Sequence, residues 1–143
     1  LEPSSAASDV YKRQDMNIYD NNALDILEKL GSCLRIEEDK FDAFTSIFGA
    51  GPAFISHLSN TLAKIAKEHG FEEPEPWIRE ILDGTSHIHK SDKKNSFENI
   101  VDMVASKGGV TEAALNKINE KGIEDIWNQA INDAISKSKA LGD

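Results

Sequence analysis

The chain has 143 residues and a formal net charge of -9, from 16 basic and 25 acidic side chains. This length suits one domain, or one domain with a remnant of another. The composition, 39% hydrophobic and 29% charged, is ordinary for a globular protein. The acidic balance argues against a nucleic-acid partner, because such binding depends on clustered Lys and Arg. No apolar run approaches the roughly 18 residues of a membrane span, so we expect no membrane partner.

The single cysteine, Cys33, excludes an intrachain disulfide framework. This usage is compatible with a reducing compartment, and we expect a cytoplasmic protein because no secretory signal pattern opens the chain. We expect the thiol to be buried as packing, since no catalytic context surrounds it.

The N-terminal part differs in character from the rest. The first residue is Leu1 rather than Met, so we expect the reading frame to continue upstream. Residues 1–14 have no helical or strand period and resemble a translated library-adapter sequence; we expect them to be non-native or disordered. In residues 15–38, a helix is predicted over 21–30 and a short strand over 33–36. One helix and one strand cannot form a sheet, so this part is interpreted as the last unit of an α/β domain whose earlier part is absent.

Residues 39–143 are predicted to be helical throughout. The last helix, from Ile123 to about Leu141, has the most regular 3.6-residue pattern, and its small residues Ala130, Ala134 and Ser138 would let another helix approach closely. The helix predicted from Pro52 has a wide inward face, formed by Phe54, Ile55, Leu58, Leu62, Ile65 and Ala66. Such faces predict an all-α helical bundle completed by a second copy, as a homodimer or a higher oligomer.

The first of these helices is predicted to break at residues 49–52. Gly49 and Gly51 permit a sharp corner or a close helix crossing, and Pro52 suits the first turn of the next helix. Gly49-x-Gly51 is not a dinucleotide-binding loop, because Phe54 occupies the position of the third glycine and the preceding segment is helical. No cofactor-binding residue is therefore predicted in the chain.

Residues 106–111, here called the glycine loop, lie between two predicted helices. Gly108 and Gly109 allow a tight turn with uncovered N–H groups, and the helix that follows directs its positive dipole end into the loop. Such a loop suits a carboxylate, and Thr111 adds a hydroxyl. A plain turn with Thr111 as a helix cap is the simpler alternative, and from the residues alone it stays open. No metal site is predicted, because the four histidines lack a matched ligand set.

Three segments of the chain, residues 41–54, 104–111 and 114–141, together resemble the C-terminal domain of pyrroline-5-carboxylate reductases. The resemblance implies a helical dimerisation and substrate-binding domain over residues 39–143, preceded in residues 15–38 by the remnant of an α/β Rossmann domain that binds the nucleotide. The implied reaction is reduction of the small molecule 1-pyrroline-5-carboxylate to L-proline, the last step of proline biosynthesis, with NADPH or NADH held mainly by an N-terminal domain. It also implies that Ser106, Gly108, Gly109, Val110 and Thr111 bind the substrate, with Thr111 as the catalytic residue at the ring nitrogen.

Two departures from the family pattern bear on this expectation. Lys107 stands where the family usually has proline, and Ala50 where it often has serine, which leaves the substrate open. The nucleotide domain is missing, so we do not expect the chain alone to be an active reductase. One alternative is a related imine reductase with another cyclic substrate. The other is a helical dimerisation module without enzymatic activity.

Overall fold

A computed structural model describes residues 26–31, 33–91 and 96–142. Within these ranges the regular structure is helical and no strand is formed, so the predicted all-α class is confirmed. The helix bounds between residues 41 and 142, with the gap at 92–95, are α1 Phe41–Phe44, α2 Gly51–Glu68, α3 Glu75–Ser91, α4 Phe97–Val104, α5 Val110–Glu120 and α6 Ile123–Gly142. A 3₁₀ turn, Glu38–Lys40, precedes α1.

The chain divides into two compact units, and α6 contributes to both. One unit comprises Leu1–Ala50 and Ala134–Asp143, and the other comprises Gly51–Asp133. In the first unit, the Ser138 hydroxyl in α6 donates to Asp42 Oδ1 in α1 at 2.6 Å. In the second, the rings of Phe54 in α2 and Trp127 in α6 meet edge to face, with centroids 5.3 Å apart. Each unit thus holds a different part of the last helix.

The predicted break at residues 49–52 is confirmed, and it has a specific form. A π-helical turn, Thr45–Gly49, follows α1, and its last bond runs from the Ala50 N–H to the Thr45 carbonyl at 3.0 Å. This five-residue span accommodates an extra residue in the helix. Pro52 then lies in the first turn of α2, where its missing N–H is not needed. Of the two alternatives for Gly51, a sharp corner or a close helix crossing, the described residues show no close crossing, since a Cβ there would meet nothing within 4 Å.

The connection between α2 and α3 is held by a turn and an ion pair. Gly70 takes the left-handed conformation that ends α2, with φ +90°. The Lys67 ammonium in α2 then donates to Glu75 Oε1, the first residue of α3, at 2.5 Å. This hydrogen bond lowers the pKa of the Glu75 carboxyl below its ordinary value. Both side chains are about half exposed, so solvent screening keeps the energetic contribution small.

The segment before residue 38 differs from the sequence prediction. The predicted helix end is confirmed, because residues 26–28 are helical and the Gly31 N–H donates to the Leu27 carbonyl at 3.2 Å. The strand expected at residues 33–36 is absent, because no other strand among the described residues is available to pair with it. Cys33 is exposed rather than buried, which contradicts the expected packing role.

Two interpretations of the N-terminal part concern residues that the structure does not describe. The non-native or disordered character expected for residues 1–14 lies outside the described ranges, as does the start of the helix predicted over 21–30. The interpretation of residues 15–38 as the remnant of a nucleotide-binding domain stays a prediction.

Few apolar side chains are buried within a single chain. Among the described residues the buried hydrophobic positions are Phe41, Ala63 and Ile100. The predicted inward face of α2 is largely open, with exposed fractions of 52% for both Ile55 and Leu58. A contiguous apolar surface of this kind marks an interaction site. None of the helices that the structure describes has both the length and the apolarity needed to span a membrane.

Candidate functional site

Helix α4 leads the chain into the glycine loop, and local contacts fix its N-terminal end. Ser96 is its N-cap, because the Asn99 N–H donates to the Ser96 hydroxyl at 3.1 Å. The ring of Phe97 lies 4.8 Å from that of His89 in α3, and Ile100 is buried. The prediction of a short apolar helix directly before the loop is therefore confirmed.

Within the loop, two amide groups are used internally. Gly108 adopts φ +75°, in the left-handed region that favours glycine. The Gly109 N–H donates to the Ser106 carbonyl at 2.9 Å and closes the turn. The Gly108 N–H donates to Glu112 Oε2 at 2.8 Å. These two amides are therefore satisfied within the protein itself.

Glycine is required at position 109 for a different reason than at position 108. Its φ of -85° is accessible to any residue. A Cβ at this position, however, would lie 2.8 Å from the Ser106 carbonyl oxygen and 2.9 Å from its hydroxyl oxygen. No real side chain packs that closely against a backbone oxygen, so the tightness of the turn requires the absence of a side chain.

The start of α5, directly after the loop, has unpaired hydrogen-bond donors. Gly109 is the N-cap and supplies no side-chain hydrogen bond. The first amide of α5 to reach a backbone acceptor is that of Ala113, which donates to the Gly109 carbonyl at 3.1 Å. The N–H groups of Val110, Thr111 and Glu112 have no backbone acceptor among the described residues, as expected for a helix start. Three consecutive donors at the positive end of the helix dipole are therefore free for an anion.

Two hydroxyl groups complete the donor set. Thr111 is half-buried in the first turn of α5, and Ser106 lies at the start of the turn. Within the described ranges neither hydroxyl makes a hydrogen bond. The structure thus brings Ser106, Gly108, Gly109, Val110 and Thr111 into one continuous loop and helix start. This geometry can bind a carboxylate and hydrogen-bond one further polar atom.

Sequence reasoning did not assign a role to Glu112. Its carboxylate holds the Gly108 amide from the third position of α5, counted from the Gly109 N-cap. In a capping box, a glutamate at this position reaches back to the amide of the N-cap itself, whereas Glu112 binds the amide one residue earlier, at Gly108. With Thr111 as the candidate helix cap, the sequence pattern does not indicate this contact.

The fold and this loop define a class of protein: a helical domain with open apolar faces and a donor-rich helix start. The family model for "Pyrroline-5-carboxylate reductase dimerisation" matches residues 38–141. The chain therefore belongs to the pyrroline-5-carboxylate reductase family and carries its dimerisation domain.

Curated relatives and solved structures agree with this assignment. The pyrroline-5-carboxylate reductases of Staphylococcus haemolyticus and Staphylococcus aureus are 34% and 32% identical over 120 residues, which is 82% of this chain and 44% of each relative. The chain thus spans less than half the length of these relatives.

The solved structures show the same fold. A 1-pyrroline-5-carboxylate reductase from Streptococcus pyogenes is 30% identical, with a TM-score of 0.69 over 82% of this chain and 46% of that one. A pyrroline carboxylate reductase from Plasmodium falciparum, solved with NADP bound, has a TM-score of 0.77 at 23% identity. The match covers 90% of this chain and 51% of the Plasmodium falciparum chain. At 23% identity it shows the shared fold alone.

Proposed function

We propose that the full-length protein containing this chain reduces 1-pyrroline-5-carboxylate to L-proline. The observation that carries this proposal is the glycine loop with the start of α5, where free backbone amides follow one another beside two free hydroxyls in a domain of the reductase family. The substrate has one carboxylate and one ring imine nitrogen. The donor set offers complementary groups for both.

The carboxylate is held by the N–H groups of Val110 and Thr111, with the Ser106 hydroxyl as a third donor. Gly108 and Gly109 contribute by shape, since their backbone forms the turn that leaves these donors uncovered. The Thr111 hydroxyl hydrogen-bonds the ring nitrogen, which carries a proton when the imine is reduced. Held at both ends, the ring has a fixed orientation, and such positioning lowers the barrier of the chemical step.

The nicotinamide cofactor, NADPH or NADH, supplies the hydride when bound. The described residues do not fit a dinucleotide site. Gly49 and Gly51 flank the junction of a π-helical turn and α2, and the segment directly before them is helical rather than a strand. A phosphate-binding loop of that class requires a strand that leads into a helix. Cofactor binding is therefore assigned mainly to a part of the protein other than the described residues.

This proposal predicts activity for the full-length protein and none for the chain alone. Purified full-length protein is expected to oxidise NADPH or NADH in the presence of 1-pyrroline-5-carboxylate, with L-proline as the product. A six-membered cyclic imine is the competing substrate to include, because Lys107 departs from the family pattern beside the loop. Faster turnover of that imine would favour the alternative imine reductase, and no turnover of either would favour the dimerisation module.

We further propose that the domain forms a homodimer through its open apolar faces. Leu58 in α2 and Ile126 in α6 are 52% and 57% exposed in the single chain, although both lie in strongly periodic helices. A second copy would bury such faces. In a two-fold interface each copy contributes the same residues, so every interface residue occurs twice. A higher oligomer and a cytoplasmic location remain predictions.

The dimer is tested by a charge placed on the α2 face. Sizing chromatography with light scattering is expected to give a dimer of the 143-residue chain at micromolar concentration. Leu58→Glu would bury two carboxylates per dimer, so we expect its dissociation constant to rise by about 100-fold or more. Leu30→Glu is the matched control, because this leucine is exposed and precedes the family-model match. A monomeric wild-type chain, or equal effects of the two variants, would contradict the proposed interface.

A further inference from the structure

We infer that Glu112 is a positioning residue for the glycine loop, acting through the amide of Gly108 rather than by touching the substrate. This inference rests on the proposed function for its kinetic consequence only. Its structural part concerns a single contact, from the Gly108 N–H to Glu112 Oε2 at 2.8 Å. Neither the reaction nor the donor set described above assigns a role to this carboxylate.

The contact joins the turn to the helix that carries the donors. Gly108 is in the left-handed conformation, which a glycine leaves easily because no Cβ restricts its backbone. The neighbouring bond, from the Gly109 N–H to the Ser106 carbonyl, closes the turn on one side only. Glu112 holds the other side from within the first turn of α5. Through this bond, helix α5 restrains the conformation of Gly108.

Glu112 also determines which amides are left for a ligand. With the Gly108 N–H directed to the carboxylate, the free donors are the backbone amides of Val110, Thr111 and Glu112. If Gly108 were released, the turn could reorient and these donors would no longer be held in their present positions. The expected consequence is weaker substrate binding, with a smaller effect on the chemical step once substrate is bound.

An acidic side chain here is unfavourable for direct anion binding, since like charges repel. By accepting the hydrogen bond from Gly108, Glu112 favours binding of a substrate carboxylate, whereas its negative charge opposes that binding. Glutamine keeps an acceptor oxygen at the same distance along the side chain and removes the charge. Alanine removes both. The two substitutions consequently separate positioning from electrostatics.

The structural test is amide hydrogen exchange of Gly108 in the 143-residue chain without substrate. A charge-assisted bond of this kind is expected to slow exchange, so Glu112→Ala should raise the Gly108 exchange rate by about 10-fold or more. Glu112→Gln should stay within about 3-fold of wild type, because the acceptor is retained. Glu120→Ala is the matched control, a glutamate of the same helix whose carboxylate pairs with Lys117 instead.

The kinetic test uses the same variants in the full-length protein with 1-pyrroline-5-carboxylate. We expect KM to rise about 10-fold in Glu112→Ala, with kcat changed by less than about 3-fold, and recovery of the wild-type KM in Glu112→Gln. Unchanged Gly108 exchange in the alanine variant, or equal KM in the alanine and wild-type proteins, would overturn the positioning role. If the wild-type protein has no reductase activity, the proposed function fails, and hydrogen exchange still decides whether Glu112 holds Gly108.

Discussion

Replacement of Thr111 by alanine is expected to lower kcat/KM for 1-pyrroline-5-carboxylate by about 10- to 100-fold. The range corresponds to roughly 1.5–3 kcal/mol, the contribution of a hydrogen bond to a charged group, here the protonated ring nitrogen. Thr111 is half-buried and its hydroxyl makes no hydrogen bond within the described ranges, so removal breaks no contact in the protein itself. Thermal unfolding should therefore change little while turnover falls.

Two further variants identify the hydroxyl as the cause. Thr111→Ser keeps the oxygen and should retain most of the activity, whereas Thr111→Val keeps the shape and should resemble alanine. Thr61→Ala is the control on a different helix, because the Thr61 hydroxyl already donates to the His57 carbonyl at 3.0 Å. Wild-type activity in Thr111→Val would remove Thr111 from the mechanism and leave it as part of the helix start.

The helices with strong local signals could be predicted from the sequence. Helix α4 begins after its Ser96 cap and ends at Val104, where the apolar period ends. Helix α6 runs over Ile123–Gly142, within one residue of the prediction, because its pattern is unbroken and Gly122 takes φ +72° just before it. Caps and periodicity depend on residues close in the sequence, and the sequence contains that information directly.

Features that depend on distant partners could not be predicted. A strand at residues 33–36 needs a neighbouring strand, which the described residues do not provide. The face of α2 was predicted to be inward, yet Ile55 and Leu58 are exposed in the single chain. Periodicity identifies an apolar face correctly but does not tell whether the same chain or another molecule covers it. The π-helical turn at Thr45–Gly49 likewise has no local sequence signal that we recognise.

The candidate site was predicted in outline, and its internal contacts were not. Two adjacent glycines before a helix indicated an exposed turn, which the structure contains. The sequence did not indicate that Gly108 is needed for its backbone angle and Gly109 for the space it leaves free. Nor did it indicate that Glu112 binds the Gly108 amide. Each of these features depends on the path that the folded backbone takes through the turn.

Replacement of Gly109 by alanine is expected to have a large effect on both stability and substrate binding. The new Cβ would lie 2.8 Å from the Ser106 carbonyl oxygen, which accepts the hydrogen bond that closes the turn. The turn must open to relieve this contact, at a cost of about 1–3 kcal/mol in the free energy of unfolding. Because the donors of Val110 and Thr111 follow directly, KM should rise more than 10-fold in the full-length protein.

Gly84→Ala is the matched control, because the same substitution should have the opposite effect in α3. A Cβ at Gly84 would meet nothing within 4 Å, so alanine is expected to stabilise the helix by about 0.5–1 kcal/mol. Adding Ser106→Gly to Gly109→Ala removes the serine hydroxyl and leaves the nearer backbone oxygen in place. This double variant should therefore not recover wild-type stability in chemical denaturation. Full recovery would show that the side chain, not the closed backbone turn, requires glycine at position 109.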